Sequence, residues 1–511
     1  MFNYSSDYLT DTLADFAINC EVNLQTHHLV NDSRLVQTGD IFCAVQGSQQ
    51  SGQQYIEQAI NAGAVVVLKE IAQQSQHGDV AWQQVSNTDD RMIAIISFYQ
   101  LNHHLFALAK SYYQQPQNKM TMIGITGTNG KTSTCQLIAQ LLDACNKPCG
   151  VIGTNGAGRV GQLTDITNTT PGATELHQLF ADFNQQTLQC VAMEVSSHAL
   201  EQRRVTADLF DIAVFTNLSR DHLDYHQTME KYAAAKALIF SPNNEKQISV
   251  INGDDQQAKK WLVERKDQTQ NLIVFGRSEP VTQYPCFVYA FNLQHHHHGV
   301  TFSLKTHLGE CTIDSPLMAD FNVDNLLAAI AVLMTQNVSL AEISQNIKQL
   351  NAITGRMESF TSAKNATAIV DYAHTPDALE NALKACHQHC QGQLWVVFGC
   401  GGDRDKGKRA LMGQVAEKWA DHIVITNDNP RSEDPVAIAN DILTGCKKPE
   451  KITVLLAREQ AVLTTLKRAK AKDFVLFAGK GHEDYIIVGN ETLAYNERAV
   501  VNKFYQNGAI L

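Results

Sequence analysis

The sequence predicts an α/β protein of about three or four domains, and three observations support this fold class. The chain has 511 residues, which is more than one hydrophobic core ordinarily organises. Short apolar runs typical of buried strands alternate with longer runs whose apolar residues recur at helical spacing. A glycine-rich turn also connects one of these strands directly to a helix. Such alternation predicts largely parallel sheets covered by helices on both faces.

The first block, residues 1–115, predicts a small α/β domain. Apolar runs at residues 40–45 and 64–70 are typical of strands, and residues 55–63 (YIEQAINAG) have a helical pattern. The polar segment SYYQQPQNK follows at residues 111–119, and its proline favours a linker. We therefore place a domain boundary there.

The second block, residues 116–350, predicts a central domain that contains the glycine-rich turn. Its expected strands lie at residues 120–126, 190–195 and 212–218, and its expected helices at residues 132–145 and 321–336. Strands that alternate with helices in this way pair in parallel.

The third block, residues 351–511, predicts a doubly wound, Rossmann-like domain. Five strand-like runs, separated by helical patterns, lie at residues 367–373, 393–399, 422–426, 451–456 and 473–479.

Composition excludes several classes of protein. With 44% hydrophobic and 18% charged residues, the chain resembles soluble globular proteins, and it has no apolar run of about 18 residues that could cross a bilayer. A net charge of −11 argues against nonspecific nucleic-acid binding. The N-terminus lacks a secretory signal pattern, and the twelve cysteines suit reduced thiols. We expect a cytoplasmic monomer that acts on small molecules.

The turn GTNGKT at residues 127–132 predicts a phosphate-binding loop. Glycines let main-chain N–H groups approach phosphate oxygens, Lys131 can reach the β- and γ-phosphates, and the Thr132 hydroxyl can bind Mg²⁺. The match to the general pattern is incomplete, because Ile125 stands where that pattern has its first glycine. The predicted ATP-binding loop consists of Gly127, Thr128, Asn129, Gly130, Lys131 and Thr132.

Two further side chains follow predicted strand ends, where α/β sheets bind their ligands. Glu194 could hold magnesium directly or through water, and His222 lies beyond the next strand. From the residues alone, a capped turn and a hydrogen-bonded structural histidine are open alternatives. A phosphate loop by itself also permits kinases, switches and motor ATPases.

A series of motifs extends these observations to nearly the whole chain. In chain order they are GTNGKT, NTTP, MEVSSHAL, TNLSRDHLDYH, YAAAKALIF, GRME, DYAHTPDALE, FGCGGDRDKGKR, DNPR and GKGHEDY. In these motifs and their order the sequence resembles the Mur ligases, which build the peptide stem of bacterial peptidoglycan. The resemblance implies a three-domain plan: an N-terminal uridine-nucleotide domain, a central phosphate-loop ATPase domain and a C-terminal Rossmann-like domain for the incoming amino acid.

The resemblance also implies ATP and Mg²⁺ as cofactors. By this matching, Lys131 and Thr132 bind ATP and magnesium, while Glu194 and His222 belong to metal sites. Lys236 matches the lysine that is carbamylated in these ligases, although from the residues alone it reads as an exposed helix residue. Further expected ATP contacts are Asn252 at the adenosine and Arg356 at a phosphate.

For the muramoyl dipeptide substrate, the resemblance implies contacts in the first two domains. The expected residues are Ser33, Ser48, Gln49, Gln50, Asn168, Thr169, Thr170, Ser196, Gln202 and Arg204.

The motif DNPR at residues 428–431 bears on which amino acid is added. In relatives that add meso-diaminopimelate, its arginine binds the distal carboxylate, a task that suits the planar guanidinium of Arg431. Without the family context, DNPR would read as a turn with a solvated arginine. The residues expected at the diaminopimelate site are Arg404, Asp428, Asn429, Pro430, Arg431, Gly479 and Glu483.

Other interpretations stay open at this point. A folylpolyglutamate synthase, a lysine-adding ligase and a nucleotide-dependent switch are alternatives; DNPR and the first domain argue against the first two. One departure from the family is that Ala319 and Asp320 replace the glycine-containing turn found before the last central helix in most relatives. The run at residues 295–298 (HHHH) reads as a solvated loop without acidic partners.

Overall fold

The computed structural model describes residues 6–20, 24–47, 51–85, 92–241, 244–264, 271–296, 299–362 and 364–507. The chain forms two compact units. One consists of Met1–Ile251 with Asp255–Ile273, and the other of Asn252–Asp254 with Val274–Leu511. Among the helices so described, none is long and apolar enough to span a membrane.

The first unit begins with a five-stranded sheet of order β1-β2-β3-β5-β4, parallel except for its edge strand β4. Its elements are α1 (Ser6–Ala14), β1 (Leu29–Val30), β2 (Ile41–Ala44), α2 (Ile56–Ala62), β3 (Val66–Ile71), β4 (Val80–Gln84), β5 (Met92–Tyr99) and α3 (Leu101–Tyr112). The α/β pattern predicted for this block is confirmed.

The segment expected to be a linker is more ordered than predicted. Helix α3 extends to Tyr112, and a 3₁₀ helix covers Pro116–Lys119. Tyr112 and Tyr113 are buried in the core of the first sheet, and Tyr112 donates its hydroxyl hydrogen to Oγ1 of Thr26 at 2.9 Å. The two rings therefore attach this segment to the domain before it.

The same unit contains the glycine-rich turn within a second group of strands. Its elements are β6 (Thr121–Thr126), α4 (Lys131–Ala144), β7 (Cys149–Gly153), β8 (Gly156–Arg159), β9 (Gln162–Thr164), α5 (Ala173–Gln185), β10 (Cys190–Glu194), α6 (Ser197–Glu201), β11 (Ile212–Phe215), α7 (Leu223–His226), α8 (Met229–Ala237), β12 (Ile248–Asn252) and α9 (Gln256–Glu264).

Five of these strands are parallel, as predicted. They lie in the order β12-β11-β6-β10-β7, with β8 and β9 antiparallel at the edge. Strands β6, β10 and β11 are buried along almost their whole length, which explains their continuous apolar sequences. The carboxyl ends of these three neighbouring strands lie at one edge of the sheet, where the predicted phosphate loop, Glu194 and the segment before His222 begin.

The second unit contains the last part of strand β13, from Val274, and the strands that follow it in the chain. Strand β14 pairs in parallel with β13 and is the first strand of an antiparallel meander through β15 and β16. The elements are β13 (Leu272–Gly276), β14 (Phe287–His296), β15 (Gly299–Thr306), β16 (Gly309–Ser315), α10 (Asp320–Thr335) and α11 (Leu340–Ile347).

The rest of the second unit is a doubly wound domain, as predicted. Its six-stranded sheet has the order β17-β18-β22-β19-β20-β21 and is parallel except for β17. The elements are β17 (Glu358–Phe360), β18 (Thr367–Asp371), α12 (Pro376–His389), β19 (Leu394–Phe398), α13 (Gly407–Trp419), β20 (His422–Ile425), α14 (Pro435–Leu443), β21 (Ile452–Val454), α15 (Arg458–Arg468), β22 (Phe474–Ala478), β23 (Tyr485–Val488), β24 (Glu491–Ala494) and α16 (Glu497–Asn507).

Alternate residues of the central strands pack against different helices. On β19, Val396 and Phe398 join the core formed with α12, α13 and α14, whereas Trp395 and Val397 join the core formed with α15 and α16. Because successive side chains of a strand point to opposite faces, helices cover both faces of this sheet.

The histidine run is not the solvated loop that the sequence predicted. His295 and His296 end strand β14, and Nε2 of His295 lies 2.7 Å from a carboxylate oxygen of Asp320. Asp320 also pairs with Arg277 at 2.8 Å. The sequence could not reveal this acidic partner, which lies 25 residues away on α10. Residues 297–298 lie outside the described residues.

The residue that replaces the usual glycine is in a conformation that suits glycine. Ala319 has φ +79° and ψ 141°, and its side chain is fully buried at the start of α10. A residue with a Cβ in this region carries strain of the order of 1–3 kcal/mol.

We therefore expect Ala319→Gly to stabilise the protein. Relief of strain should exceed the ~0.5–1 kcal/mol that glycine costs through unfolded-state entropy, so the unfolding temperature measured by calorimetry should rise. The matched control is Ala328→Gly, at a buried position in the interior of the same helix, which should lower that temperature. Equal losses in the two variants would contradict the prediction.

Candidate active site

The turn between β6 and α4 requires glycine at two positions. Gly127 has φ +152° and Gly130 has φ +84°. A Cβ at Gly127 would lie 2.0 Å from Oγ1 of Thr216, so any other residue would clash with the segment that follows β11. Helix α4 begins at Lys131, and its first N–H groups face the turn. This strand, loop and helix form the arrangement that binds phosphate in other α/β proteins.

The segment after β11 holds this loop through hydrogen bonds. Asn217 accepts the N–H of Asn129 with its side-chain oxygen at 3.0 Å and donates its Nδ2 hydrogen to the Asn129 carbonyl at 3.0 Å. Thr128 accepts the N–H of Ser219 at 3.0 Å and donates its own N–H to the Asn217 carbonyl at 2.9 Å. The TNLS sequence therefore fixes Thr128 and Asn129, two of the predicted ATP contacts.

Two lysines converge on one carbonyl of the loop. Nζ of Lys131 donates to the Gly127 and Thr128 carbonyls, both at 2.9 Å, and Nζ of Lys236 donates to the Gly127 carbonyl at 2.8 Å. Lys236 is only 1% exposed, so its interpretation as an exposed helix residue was wrong. The face of α8 that bears it packs inwards through Tyr232 and small alanines. Burial, together with the charge of Lys131, lowers the pKa of Lys236 well below its usual value.

Glu194 lies at the end of β10 and binds the start of α4. Its Oε2 accepts the hydroxyl hydrogen of Thr132 at 2.9 Å, and its Oε1 accepts the N–H of Thr154 at 2.8 Å. The Thr154 hydroxyl also lies 3.1 Å from the hydroxyl of Thr169. A Cβ on Gly153 would come within 2.2 Å of Oε1, so this approach depends on glycine in β7. A hydroxyl and a carboxylate therefore lie side by side beside the loop.

His222 lies in a cluster of aromatic rings beyond β11. It adopts φ +53°, and its ring centroid lies 5.0 Å from that of His198 and 5.9 Å from that of Tyr232. Partial burial, with the charges of Lys131 and Lys236, lowers the pKa of His222, while Asp221 opposes the shift. The neutral imidazole, which has a free electron pair, is therefore favoured.

Several residues expected at the muramoyl dipeptide form one network behind Glu194. The Thr170 hydroxyl donates to the Glu194 carbonyl at 2.9 Å and accepts the N–H of Ser196 at 3.0 Å. Arg204 donates from Nη1 to the Thr170 carbonyl, while its buried Nε makes no hydrogen bond in the described part of the chain. Arg204 thus has spare donor capacity for an anionic ligand.

The other residues expected at this substrate are less connected. Ser33 is buried and donates to Oε1 of Gln58 at 3.1 Å, which ties it to α2. Asn168 and Gln202 are exposed. Residues 48–50, predicted to contact the uridine nucleotide, lie outside the described residues.

In the second unit, the DNPR loop surrounds a buried lysine. Nζ of Lys480 donates to Oδ1 of Asn429 at 2.7 Å, to Oε2 of Glu483 at 2.9 Å and to the Tyr485 carbonyl at 2.9 Å. Asp428 lies 3.2 Å from the same nitrogen. The Lys480 side chain is fully buried, so it keeps both carboxylates paired away from water.

Both candidate arginines lie close to Gly401, the first glycine of a pair. Arg431 has φ +51° and donates from Nη1 to the Gly402 carbonyl at 2.9 Å. A Cβ on Gly401 would lie 3.0 Å from Nη1 of Arg431 and 3.6 Å from Cγ of Arg404. The carbonyl of Pro430 closely approaches Gly402. Gly401 therefore leaves room for the Arg431 guanidinium and for the aliphatic part of the exposed Arg404 side chain.

The main chain of Arg431 is bound to the hairpin of β23 and β24. Its N–H donates to the Ile487 carbonyl at 3.1 Å, and its carbonyl accepts the N–H of Gly489 at 2.7 Å. The hairpin thus fixes the backbone from which this side chain extends.

A fully buried ion pair lies behind the same loops. Arg458 donates from Nε and Nη2 to the carboxylate of Glu497 at 2.6 and 2.9 Å. It also donates to the Asn427 carbonyl at 3.0 Å and the Ala478 carbonyl at 2.9 Å. These carbonyls immediately precede Asp428 and Gly479, both expected at the amino-acid site.

Arg356 lies near the end of β18. Its guanidinium is 4.7 Å from the ring centroid of Tyr372, and its buried Nε has no hydrogen-bond partner in the segments that the structure describes. Asp371 accepts the N–H groups of Met357 and Ala373, both at 2.8 Å. Burial raises the pKa of Asp371, and the nearby Arg356 opposes that shift. Asp371 therefore anchors the segment that carries Arg356.

Asn252 ends β12 and is buried, and its side-chain oxygen accepts the N–H of Asp254 at 3.0 Å. This contact is an ordinary turn cap, and nothing in it marks an adenosine site.

Sequence reasoning missed three of these groups. Lys480 lies inside the GKGHEDY motif but was not predicted as a site residue. Its position between two glycines, three residues before Glu483, is a sequence signal that could have identified it. Arg458 and Glu497 are 39 residues apart and belong to no recognised motif, so the sequence offered no signal for their pairing.

The donor set beside the phosphate loop suits magnesium. Mg²⁺ prefers oxygen ligands and usually takes one or two from the protein, the others coming from water and phosphate. The Thr132 hydroxyl and the Glu194 carboxylate fit this preference. No group of three or more His, Cys, Asp or Glu side chains within the described ranges could hold a metal by itself.

Comparison with known proteins agrees with this geometry. Residues 25–113 match the family model described as Mur ligase family, catalytic domain, residues 125–333 match the Mur ligase middle domain, and residues 355–481 match the Mur ligase, glutamate ligase domain. A protein of Haemophilus influenzae named UDP-N-acetylmuramoyl-L-alanyl-D-glutamate--2,6-diaminopimelate ligase is 41% identical over 482 residues, which are 94% of this chain and 96% of the relative.

Solved structures show the same fold. A structure of a UDP-N-acetylmuramoyl-L-alanyl-D-glutamate--2,6-diaminopimelate ligase aligns with a TM-score of 0.65 and 30% identity, over 99% of this chain and 100% of that one. The MurF ligase of Thermotoga maritima in complex with ADP aligns with a TM-score of 0.60 and 18% identity, over 94% and 97% of the two chains. At that lower identity the likeness concerns the fold alone.

The fold and family predicted from the motifs are therefore confirmed. With three family models in order along the chain and a 41% identical relative matched over nearly its full length, the protein belongs to the Mur ligase family of ATP-dependent, amide-bond-forming ligases.

Proposed function

We propose that the protein adds meso-2,6-diaminopimelate to the D-glutamate γ-carboxylate of UDP-N-acetylmuramoyl-L-alanyl-D-glutamate, a step in peptidoglycan precursor synthesis. The names of the relatives at 40–41% identity support this substrate pair. The observation in the molecule itself that carries the proposal is the set of charges around DNPR, where Arg431 lies beside Gly401 and the carboxylates of Asp428 and Glu483 both lie beside Lys480.

That charge pattern suits an amino acid with a zwitterionic distal end. The two carboxylates, Asp428 and Glu483, both pair with Lys480, while the buried Arg458 is paired with Glu497, so these groups keep a net negative charge that suits an ammonium group. Arg431 and Arg404 supply planar donors for a carboxylate. Lysine has no distal carboxylate and would leave the arginines unpaired. Asn429, Pro430 and Gly479 give the loop the shape that places these charges.

In the proposed reaction, the loop at residues 127–132 binds ATP, and the γ-phosphoryl group passes to the γ-carboxylate of the substrate. ADP leaves, and the amine of diaminopimelate attacks the resulting acyl phosphate. A tetrahedral intermediate then releases phosphate and leaves an amide bond. Lys131 stabilises negative charge on the transferring group, because positioning and charge neutralisation dominate phosphoryl transfer. Asn252 and Arg356 are proposed as further ATP contacts.

Magnesium, held by Thr132, Glu194 and His222, would neutralise phosphate charge when bound. The muramoyl dipeptide would occupy the network of Thr169, Thr170, Ser196 and Arg204, where Nε of Arg204 can bind an acidic group. Other proposed contacts to this substrate are Ser33, Ser48, Gln49, Gln50, Asn168 and Gln202.

Lys236 is proposed to react with CO₂. The neutral amine adds to carbon dioxide and releases a proton, which yields a carbamate whose oxygens can bind a metal or orient a phosphate. Its burial beside the Gly127 carbonyl, with a lowered pKa, supports this role.

We further propose three functional domains, at residues 1–115 for the uridine nucleotide, 116–350 for ATP and 351–511 for the amino acid. The protein is proposed to act in the cytoplasm as a monomer.

Lys131→Ala should strongly slow ligation in folded protein. Loss of one charge that stabilises the transferring phosphoryl group should reduce kcat by roughly 10²–10³-fold. The assay measures phosphate release from ATP, which should require both the muramoyl dipeptide and diaminopimelate. Lys147→Ala, three residues after the end of α4, is the control and should retain activity. Phosphate release by the wild type that ignores both substrates would contradict the ligase proposal.

Arg431→Ala should change the choice of amino acid. Without the guanidinium, kcat/KM for meso-diaminopimelate should fall roughly a hundredfold, whereas the slow use of lysine should change little. Product mass measured with each amino acid gives the result. Arg468→Ala removes an exposed arginine of the same unit and serves as the control. Equal losses with both amino acids would argue against a role in selectivity.

Lys236→Met should remove a carbamate signal from the protein. With ¹³C-bicarbonate, the wild type should give a carbamate resonance that weakens as the pH falls, because protonation removes the reactive amine. Lys231→Met changes an exposed lysine of the same helix and should keep the resonance. A resonance that persists in Lys236→Met would assign the carbamate elsewhere.

A further inference from the structure

Arg458 and Glu497 lie outside the Mur ligase motifs of the sequence, yet Arg458 contacts the start of both loops of the amino-acid site. Both side chains are fully buried, and the guanidinium binds the carboxylate with two parallel hydrogen bonds. Burying two charges costs several kcal/mol each in hydration, and apolar residues of similar size often stabilise a core equally well or better. Stability alone is therefore a weak reason for an ion pair here.

The position of Arg458 on its helix is also unfavourable. It is the first residue of α15, where the helix dipole favours negative rather than positive charge. Glu497, the first residue of α16, has the favourable sign. The hydrogen bonds of Arg458 therefore keep it at this position although the helix dipole disfavours a positive charge there.

The remaining donors of Arg458 bridge two separated strand ends. One reaches the carbonyl of Asn427, two residues after β20, and another reaches the carbonyl of Ala478, the last residue of β22. Strand β19 lies between β20 and β22 in the sheet, so these two ends are not joined by strand pairing. The guanidinium therefore connects two strand ends that do not pair with each other in the sheet.

We propose that Arg458, oriented by Glu497, is a positioning residue for the amino-acid site. It sets the separation of the loop that begins at Asp428 from the loop that begins at Gly479. Asp428 and Glu483, which follow these two carbonyls, then lie where Lys480 can pair with both. The proposal rests on the proposed function, since it assigns these loops to the incoming amino acid.

Arg458→Lys tests this role. Lysine keeps the charge opposite Glu497 but cannot make the two parallel bonds and also reach both carbonyls. Because misplacement of about 1 Å can cost roughly a hundredfold, KM for diaminopimelate should rise roughly ten- to a hundredfold. The KM values for ATP and the muramoyl dipeptide should not change, and the preference for diaminopimelate over lysine should fall.

Two further variants keep the test decisive. Glu497→Asp shortens the carboxylate and should raise the same KM to a smaller extent, which covers the case in which Arg458→Lys does not fold. Arg277→Lys makes the same exchange in another bidentate arginine–carboxylate pair of this unit and should leave KM for diaminopimelate unchanged.

The outcomes separate the two proposals. An unchanged KM for diaminopimelate in Arg458→Lys and Glu497→Asp, with only a lower unfolding temperature, would overturn the positioning role and leave the ligase function standing. Wild-type protein that releases phosphate without regard to diaminopimelate would overturn the proposed function itself.

Discussion

The side-chain nitrogens of Lys131 and Lys236 share the carbonyl oxygen of Gly127, and the arrangement of the phosphate-loop site depends on this contact. Because two like charges beside one carbonyl repel each other, the charge of Lys131 adds to burial in lowering the pKa of Lys236, which favours the neutral amine that a carbamate requires. The strand end, the glycine turn and α8 all have to meet for Lys131 and Lys236 to reach the same atom. The close approach of Thr216, which admits only glycine at 127, is the steric condition for that meeting.

The second unit also brings two groups of like charge together, in this case two carboxylates. Asp428 and Glu483 lie close together, and their repulsion is reduced by Lys480, which is shielded from water. In the first unit Lys131 lies at the phosphate loop, where a positive side chain suits phosphates. In the second, two carboxylates and Lys480 leave one negative charge in a site that also contains Arg431, and charges of both signs suit a zwitterion. Each site is thus complementary to the charge of the ligand proposed for it.

Local sequence was sufficient for features whose physics is local. Continuous apolar runs predicted the parallel strands β6, β10 and β22, and GTNGKT predicted the phosphate loop. Features that depend on distant partners were misread or missed. Lys236 lies on a helix with little apolar periodicity, so its burial could not be recognised without the loop it contacts, and His295 gained its acid partner from α10. The Arg458 and Glu497 pair joins two helix starts that no spacing relates.

The attachment of Arg431 to the β23–β24 hairpin bears on attempts to transplant specificity. The arginine is presented by a backbone whose N–H and carbonyl are both bonded to hairpin residues, almost as an additional short strand. Introducing the DNPR sequence alone into a homologous enzyme would therefore supply the guanidinium without the hairpin that fixes its backbone. The selectivity of Arg431 therefore depends on the loop together with its hairpin, and a chimera that carries this arginine has to exchange both.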